Sequence, residues 1–162
     1  MKEGGGKWWF AAAGAVLVLL ALAHVGAIFG GHEWYAFLGA PDQLVAMARA
    51  GKRYPYTLAL LIALVCLLWA AYAFSGAGQV RRLPLLRTGL WLIAAGMMAR
   101  AFGFIAVLAV SPDALDFICG CNGIDTMVIV TSAICLAIGA SIAIGLRQGV
   151  ASAGATAPPA CL

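Results

Sequence analysis

Charged residues in this chain fall in short bands separated by long apolar runs. Trp8 to His32 holds no acid or base other than His24 and His32, and Tyr54 to Val80 holds no charge at all. Thr88 to Pro112 carries only Arg100, and Thr126 to Leu146 carries none. Each run is long enough for a helix to cross about 30 Å of hydrocarbon, which takes about 20 residues. Lipid offers no partner for a backbone amide, so every N–H must be met inside the segment and a helix is the form such a run adopts. The pattern predicts an all-α integral membrane protein, an antiparallel bundle of four transmembrane helices at about 8–29, 56–74, 85–110 and 124–146. Residues 1–147 form one domain on this reading, and the Ala/Gly/Pro-rich stretch 148–162 is expected to be a disordered cytoplasmic tail.

The connections add detail. Pro41-Asp42, then Leu44, Val45, Met47 and Ala48, closed by Gly51, read as a short capped helix in the first and longest connection. Its apolar side and its basic end, Arg49, Lys52 and Arg53, suit a helix lying in the outer interface, with a solvated loop helix as the equal alternative. Ser75-Gly76-Ala77-Gly78 reads as a turn, and Pro84 is expected to open the next helix, where a missing N–H costs nothing. Ala133, Ala137, Ser141 and Gly145 recur every four residues and form a small-residue stripe, a packing face for a helix of this chain or of a second copy.

Composition agrees with the pattern: 64% hydrophobic and 10% charged, against about 45–50% apolar and about 25% charged in soluble domains. A water-soluble core is excluded. The net charge of +4 would suggest nucleic acid in a soluble protein, but the bases flank the runs and so bear on orientation. Lys2 and Lys7 precede the first run, Arg81, Arg82 and Arg87 fill the second connection, Arg147 follows the fourth, and the third connection holds Asp113, Asp116 and Asp125. This distribution is expected to place both termini in the cytoplasm, although Arg49, Lys52 and Arg53 run against it in the first connection. Ala21-Leu22-Ala23 offers a signal-cleavage alternative, opposed by the apolar run that continues to Phe29 and the Trp34-Tyr35 pair placed like an interfacial anchor.

Candidate chemistry is sparse. Arg100 lies about a dozen residues from either end of its run, and a central arginine costs about 2.5–3.5 kcal/mol on insertion scales, so it must face protein, water or a partner. With His24, Thr131 and Ser132 at similar depth it defines a candidate outer-leaflet cluster for a small ligand, a lipid or a membrane partner. His24 and His32 lie on one helix and its end, which rules against a bis-histidine haem, and the sequence assigns no metal or cofactor. Cys66 and Cys135 fall near mid-membrane, whereas Cys119-Gly120-Cys121 lies in the third connection, where a disulfide between such close neighbours would be strained and oxidising.

Tyr72-Ala73-Phe74-Ser75-Gly76-Ala77-Gly78, Arg81-Arg82-Leu83-Pro84-Leu85-Leu86-Arg87 and Phe37-Leu38-Gly39-Ala40-Pro41 resemble segments of small uncharacterised bacterial inner-membrane proteins. The resemblance covers roughly the first three runs, implies a four-helix membrane bundle and carries no activity. Membrane oxidoreductases that pass electrons from thiols to quinone resemble the chain in span count, but they carry C-x-x-C pairs where this one has C-x-C. Small multidrug exporters use an embedded carboxylate, and none of the four runs contains one. The sequence therefore ranks non-enzymatic binding at Arg100, His24, Thr131 and Ser132 first. A thiol–quinone oxidoreductase using Cys119 and Cys121 comes next, and a transporter or accessory subunit last.

Overall fold

The computed structural model describes residues 5–110 and 126–154. Among them every regular element is a helix: α1 (Gly5–Gly30), α2 (His32–Phe37), α3 (Asp42–Arg49), α4 (Arg53–Ala77), α5 (Leu86–Val110) and α6 (Thr126–Gly154). Three segments, Gly6–Gly30, Arg53–Ala77 and Ile129–Gln148, are long and apolar enough to cross a membrane, as an integral membrane protein requires. The four long helices share one apolar core that includes Leu17 of α1, Ala70 of α4, Leu90 of α5 and Ile138 of α6.

Small residues set how closely these helices approach. Along α4 the buried positions are Pro55, Ala59, Ala63, Cys66, Ala70, Ala73, Ser75 and Ala77; from Ala59 on, Ser75 aside, they alternate four- and three-residue steps. That spacing keeps one narrow seam facing a partner helix. The partner is α1, whose Ala13, Ala21 and Ala27 are equally buried. Where glycine replaces alanine, an aromatic ring fills the space. A Cβ added at Gly145 would stand 2.8 Å from the Phe10 ring, one at Gly14 2.8 Å from Phe74, and one at Gly89 2.6 Å from Tyr72. The same Phe10 ring lies against Gly76, so the start of α1, the end of α4 and the end of α6 meet at one end of the molecule. Leu90, one turn into α5, touches Gly76 there too, so α1 and α5 run one way and α4 and α6 the other.

That shared end gathers Lys7, Arg81, Arg82, Arg87 and Arg147, while both described acids, Glu33 and Asp42, sit at the opposite end with Arg49, Lys52 and Arg53. The arginine-bearing α4–α5 connection is built. Gly78, at φ 77°, ends α4 with Gly78 N–H donating to Ser75 O (3.1 Å) and Gln79 N–H to Phe74 O (2.9 Å). The buried Ser75 hydroxyl then donates to Arg81 O (3.1 Å) and accepts from Leu83 N–H (3.1 Å), folding the connection back over the helix end. Pro84 does not open α5. Leu85, at φ 52°, intervenes in a left-handed conformation that a right-handed helix cannot include, so α5 starts at Leu86.

At the other end α2 and α3 form a cap. The short helix expected near Asp42 is present as α3, but Pro41 is its N-cap and no side chain caps it. Asp42 instead stands in the first turn, where a carboxylate complements the helix dipole. Helix α2 extends the cap: Trp34 packs against Gly26 and Gly30 of α1 and stays half exposed. Tyr35, read from sequence as part of an interfacial anchor, turns inward and is buried with Ala27, Ala48 and Ala59. Gly39, at φ 74°, brings the cap against Met127, so close that a Cβ there would lie 2.6 Å from that side chain. Helix α6 runs on to Gly154, past the Leu146 at which the apolar run ends.

Enlarging the α1–α4 seam should be costly, since overpacking a filled site costs about 1–3 kcal/mol. Ala63→Leu, at a position 1% exposed, is expected to destabilise by that amount in reversible detergent unfolding. Leu64→Ala, at a neighbour 55% exposed, should change stability by less than about 0.5 kcal/mol. Equal effects at the two positions would contradict the seam.

Candidate functional site

Helix α5 carries the residue of greatest interest. From its first turn Gly89 receives Tyr72 of α4, and one to two turns on Ala94, Met97 and Met98 lie against Gly139 of α6. This contact uses the face of α5 that bears Leu90, Ile93, Ala94 and Met97, all buried. A helix rotates about 100° per residue, so Ala95, Gly96, Ala99, Arg100 and Gly103 turn away, and all are exposed. Cβ atoms added at Gly96 and Gly103 would meet nothing within 4 Å. Arg100 thus stands on an outer face that carries Leu92 beside the small residues Ala95, Gly96, Ala99 and Gly103, and makes no hydrogen bond or ion pair with any described residue. The Cys135 thiol of α6 is near enough to feel its charge. At about 1.5 Å per residue, Arg100 is about 21 Å from the start of α5 and about 15 Å from its end.

The other residues assigned to the outer-leaflet cluster are differently occupied. His24 is half buried, and its Nδ1 lies 2.8 Å from Leu20 O on its own helix. Since a carbonyl only accepts, Nδ1 carries the proton in that bond. Thr131 donates to Met127 O at 2.8 Å. The Ser132 hydroxyl is buried and has no hydrogen-bond partner among the described residues. Among the described residues no hydrogen bond joins Arg100 to His24 or Ser132. Of the small-residue stripe on α6, Gly145 receives Phe10 within the chain, whereas Ala133 and Ala137 are exposed. Ser141 donates to Ala137 O at 2.7 Å.

Cys66 and Cys135 are free thiols. Cys119 and Cys121 lie outside the described residues, as do Asp113, Asp116 and Asp125. Among the described residues no three His, Cys, Asp or Glu side chains gather as a metal would need.

Two features escaped the sequence reading. One is a groove of about 240 Å³ between α4 and α5, lined by Leu68, Trp69, Tyr72, Gly89, Leu92 and Ile93. The other is Tyr35, only 4% exposed, whose hydroxyl has no hydrogen-bond partner among the described residues and whose ring meets Tyr56 edge-on at 6.1 Å. Burial holds the Tyr35 phenol above its ordinary value of 10.0, and Tyr56 adds to the effect. Gly26, Gly30 and Trp34 at four-residue intervals were the available signal for the cap.

Compared with family models, curated proteins and solved structures, the chain matches none of them.

The buried phenol gives the cap a defined pH response. With its folded-state value raised, Tyr35 stays protonated in the folded protein after it would ionise in the unfolded chain, so its contribution is fully present below pH 10 and is lost as pH rises further. Tyr35→Phe is expected to flatten the stability profile above pH 10. At neutral pH it should be neutral or stabilising, because it removes a buried hydroxyl that lacks a partner. A loss of more than about 1 kcal/mol in thermal or detergent unfolding would mean that the hydroxyl is hydrogen-bonded.

Proposed function

We propose that the chain is a four-span integral membrane protein without catalytic turnover of its own, an accessory subunit that binds a membrane partner through the outer face of α5. The observation that carries this reading is Arg100, exposed, without a hydrogen bond or ion pair among the described residues, and set in a face of Ala95, Gly96, Ala99 and Gly103. Small residues let a second backbone come close, and the gain there is van der Waals contact rather than exclusion of water.

We read helix α5 as the fourth span; its packing along α6, a helix long and apolar enough to cross a membrane, with Ala94 and Met97 at the level of Gly139, supports this. That placement sets Arg100 at membrane depth, about 15 Å or more from either end of its helix and beyond the reach of one side chain. Leaving a guanidinium there against hydrocarbon costs about 2.5–3.5 kcal/mol, and a carboxylate or a set of carbonyls on a neighbouring helix removes the cost. A second copy supplies no carboxylate at that depth, since the acidic residues of the chain all lie outside its apolar runs. A carboxylate is the stronger counter-group for a guanidinium, so the partner in this reading is a different helix with an acid facing Arg100.

The basic end bearing Lys7, Arg81, Arg82, Arg87 and Arg147 faces the cytoplasm, and the α2–α3 cap lies in the outer interface, as the excess of positive charge at one end supports.

A photo-crosslinking residue at Ala99 or Gly103 in native membranes is expected to give a discrete adduct, whereas one at Leu19 or Leu64, exposed elsewhere, gives none. Arg100→Leu should abolish the adduct while insertion and detergent stability are kept or improved. Arg100→Lys should retain part of it. An adduct indifferent to Arg100→Leu, or equal labelling from every face, would overturn the proposal.

A further inference from the structure

We infer that Cys66 of α4 and Cys135 of α6 form a site for one soft monovalent cation, copper(I) or its analogue silver(I), held between the two sulfur atoms inside the bundle. The inference goes beyond the accessory-subunit reading and does not use the α5 face assigned to a partner. Its first support is the level of the two thiols. At the basic end the Phe10 ring lies against both Gly76 and Gly145, which fixes α1, α4 and α6 in register. Counting ten residues from that layer brings α1 to Leu20, α4 to Cys66 and α6 to Cys135, each about 15 Å along its helix. The packing agrees: Cys66 is buried with Ala21 and Ala63, and Leu20 packs against that cluster and against the core that Cys135 joins. Helix α1 lies on both α4 and α6, which hardly touch each other, so the thiols stand on diagonal helices. Cys66 is near enough to Cys135 to feel its charge.

The chemistry of this layer selects the occupant. Both thiols are free, and a disulfide requires Cα atoms about 4.4–6.8 Å apart, closer than diagonal helices bring their backbones. A cation between the sulfurs replaces one S–S bond by two metal–sulfur bonds and so spans the wider gap. Leu20, Ala21 and Ala63 offer no ligand atom beside the pair, and no third His, Cys, Asp or Glu joins it among the described residues. An ion that needs three or four ligands is not served here, whereas copper(I) and silver(I) are satisfied by two thiolates. Ser132, three residues from Cys135 and so beside it on α6, has a buried hydroxyl with no partner among the described residues, a donor suited to the thiolate. Binding breaks two S–H bonds, forms two metal–sulfur bonds and releases two protons, with no change of oxidation state. The complex carries one negative charge, and Arg100, whose charge Cys135 feels, is the cation that offsets it.

The test uses the full-length protein in detergent with Cys119→Ser, Cys121→Ser and Cys161→Ser, which leaves Cys66 and Cys135 as its thiols. Reduced anaerobically, it is titrated with copper(I) against a chromogenic copper(I) chelator. One copper(I) per chain is expected, and zinc(II) is expected not to displace it. Cys66→Ala and Cys135→Ala should each weaken binding by more than about a hundredfold, beyond the roughly 10–100-fold cost of losing a group outside the ligand set. Alanine already fills the neighbouring seam positions of α4, and unchanged thermal unfolding without metal confirms that each variant is folded. Dibromobimane, which fluoresces once it has joined two thiols, reads their approach independently in the two-thiol protein. Strong fluorescence is expected, and prior copper(I) should abolish it. Absence of the fluorescent adduct would show thiols that do not meet. Fluorescence without copper(I) binding would show a pair that holds no cation, and copper(I) bound equally well by either alanine variant would place it elsewhere. Each of these results would overturn the inference, and none involves a partner of α5.

Discussion

Close backbone approach between helices is the interaction on which the rest of this structure depends. Once a segment is surrounded by hydrocarbon, packing it against another apolar helix gains nothing from water, and only better van der Waals contact holds the pair together. The chain meets this demand with alanine at five of the eight buried positions of α4, matched by alanine on α1. Glycine notches receive the rings of Phe10, Phe74 and Tyr72. The large aliphatic residues mostly face outward: Leu19, Leu22, Leu60, Leu61 and Leu64 are all exposed. A soluble helix would bury those leucines and expose the alanines. The inversion is itself a mark of the solvent for which the sequence is suited.

The same constraint explains where polarity is tolerated. The helix-borne hydroxyls of Thr57, Thr131 and Ser141 return to carbonyls of their own helices, and His24 does likewise. Ser75 is spent on the turn that positions the arginine-bearing connection. Against that economy Arg100 stands apart, since its own chain offers it no described partner.

Much of the fold was legible because charge spacing alone marks apolar runs. The run at about 8–29 became Gly5–Gly30, and the run at about 56–74 became Arg53–Ala77, which extends through the interface because Pro55 fits a first turn and Gly78 supplies the left-handed stop. The six-residue helix α2 was not legible, because Trp34 and Tyr35 look like belt residues until the glycines of α1 are seen to receive Trp34. Nor could the facing of Arg100 be read, since one arginine in a run apolar on every side has no stripe against which to define inward and outward. Depth was available from counting residues; direction came from the buried set Leu90, Ile93, Ala94 and Met97. The grouping of His24, Arg100, Thr131 and Ser132 rested on depth alone, and depth does not specify which way a side chain points.

The most direct test of this account is the environment of the outer face of α5 in a bilayer, read by a spin label at position 103 of the purified, reconstituted protein. A fourth span with an outward small-residue face predicts high collision rates with dissolved oxygen and low rates with a water-soluble nickel chelate, as for any lipid-facing site. The opposite ratio, with the chelate reaching the label freely, would place α5 outside the hydrocarbon and contradict both the four-span arrangement and the role assigned to Arg100.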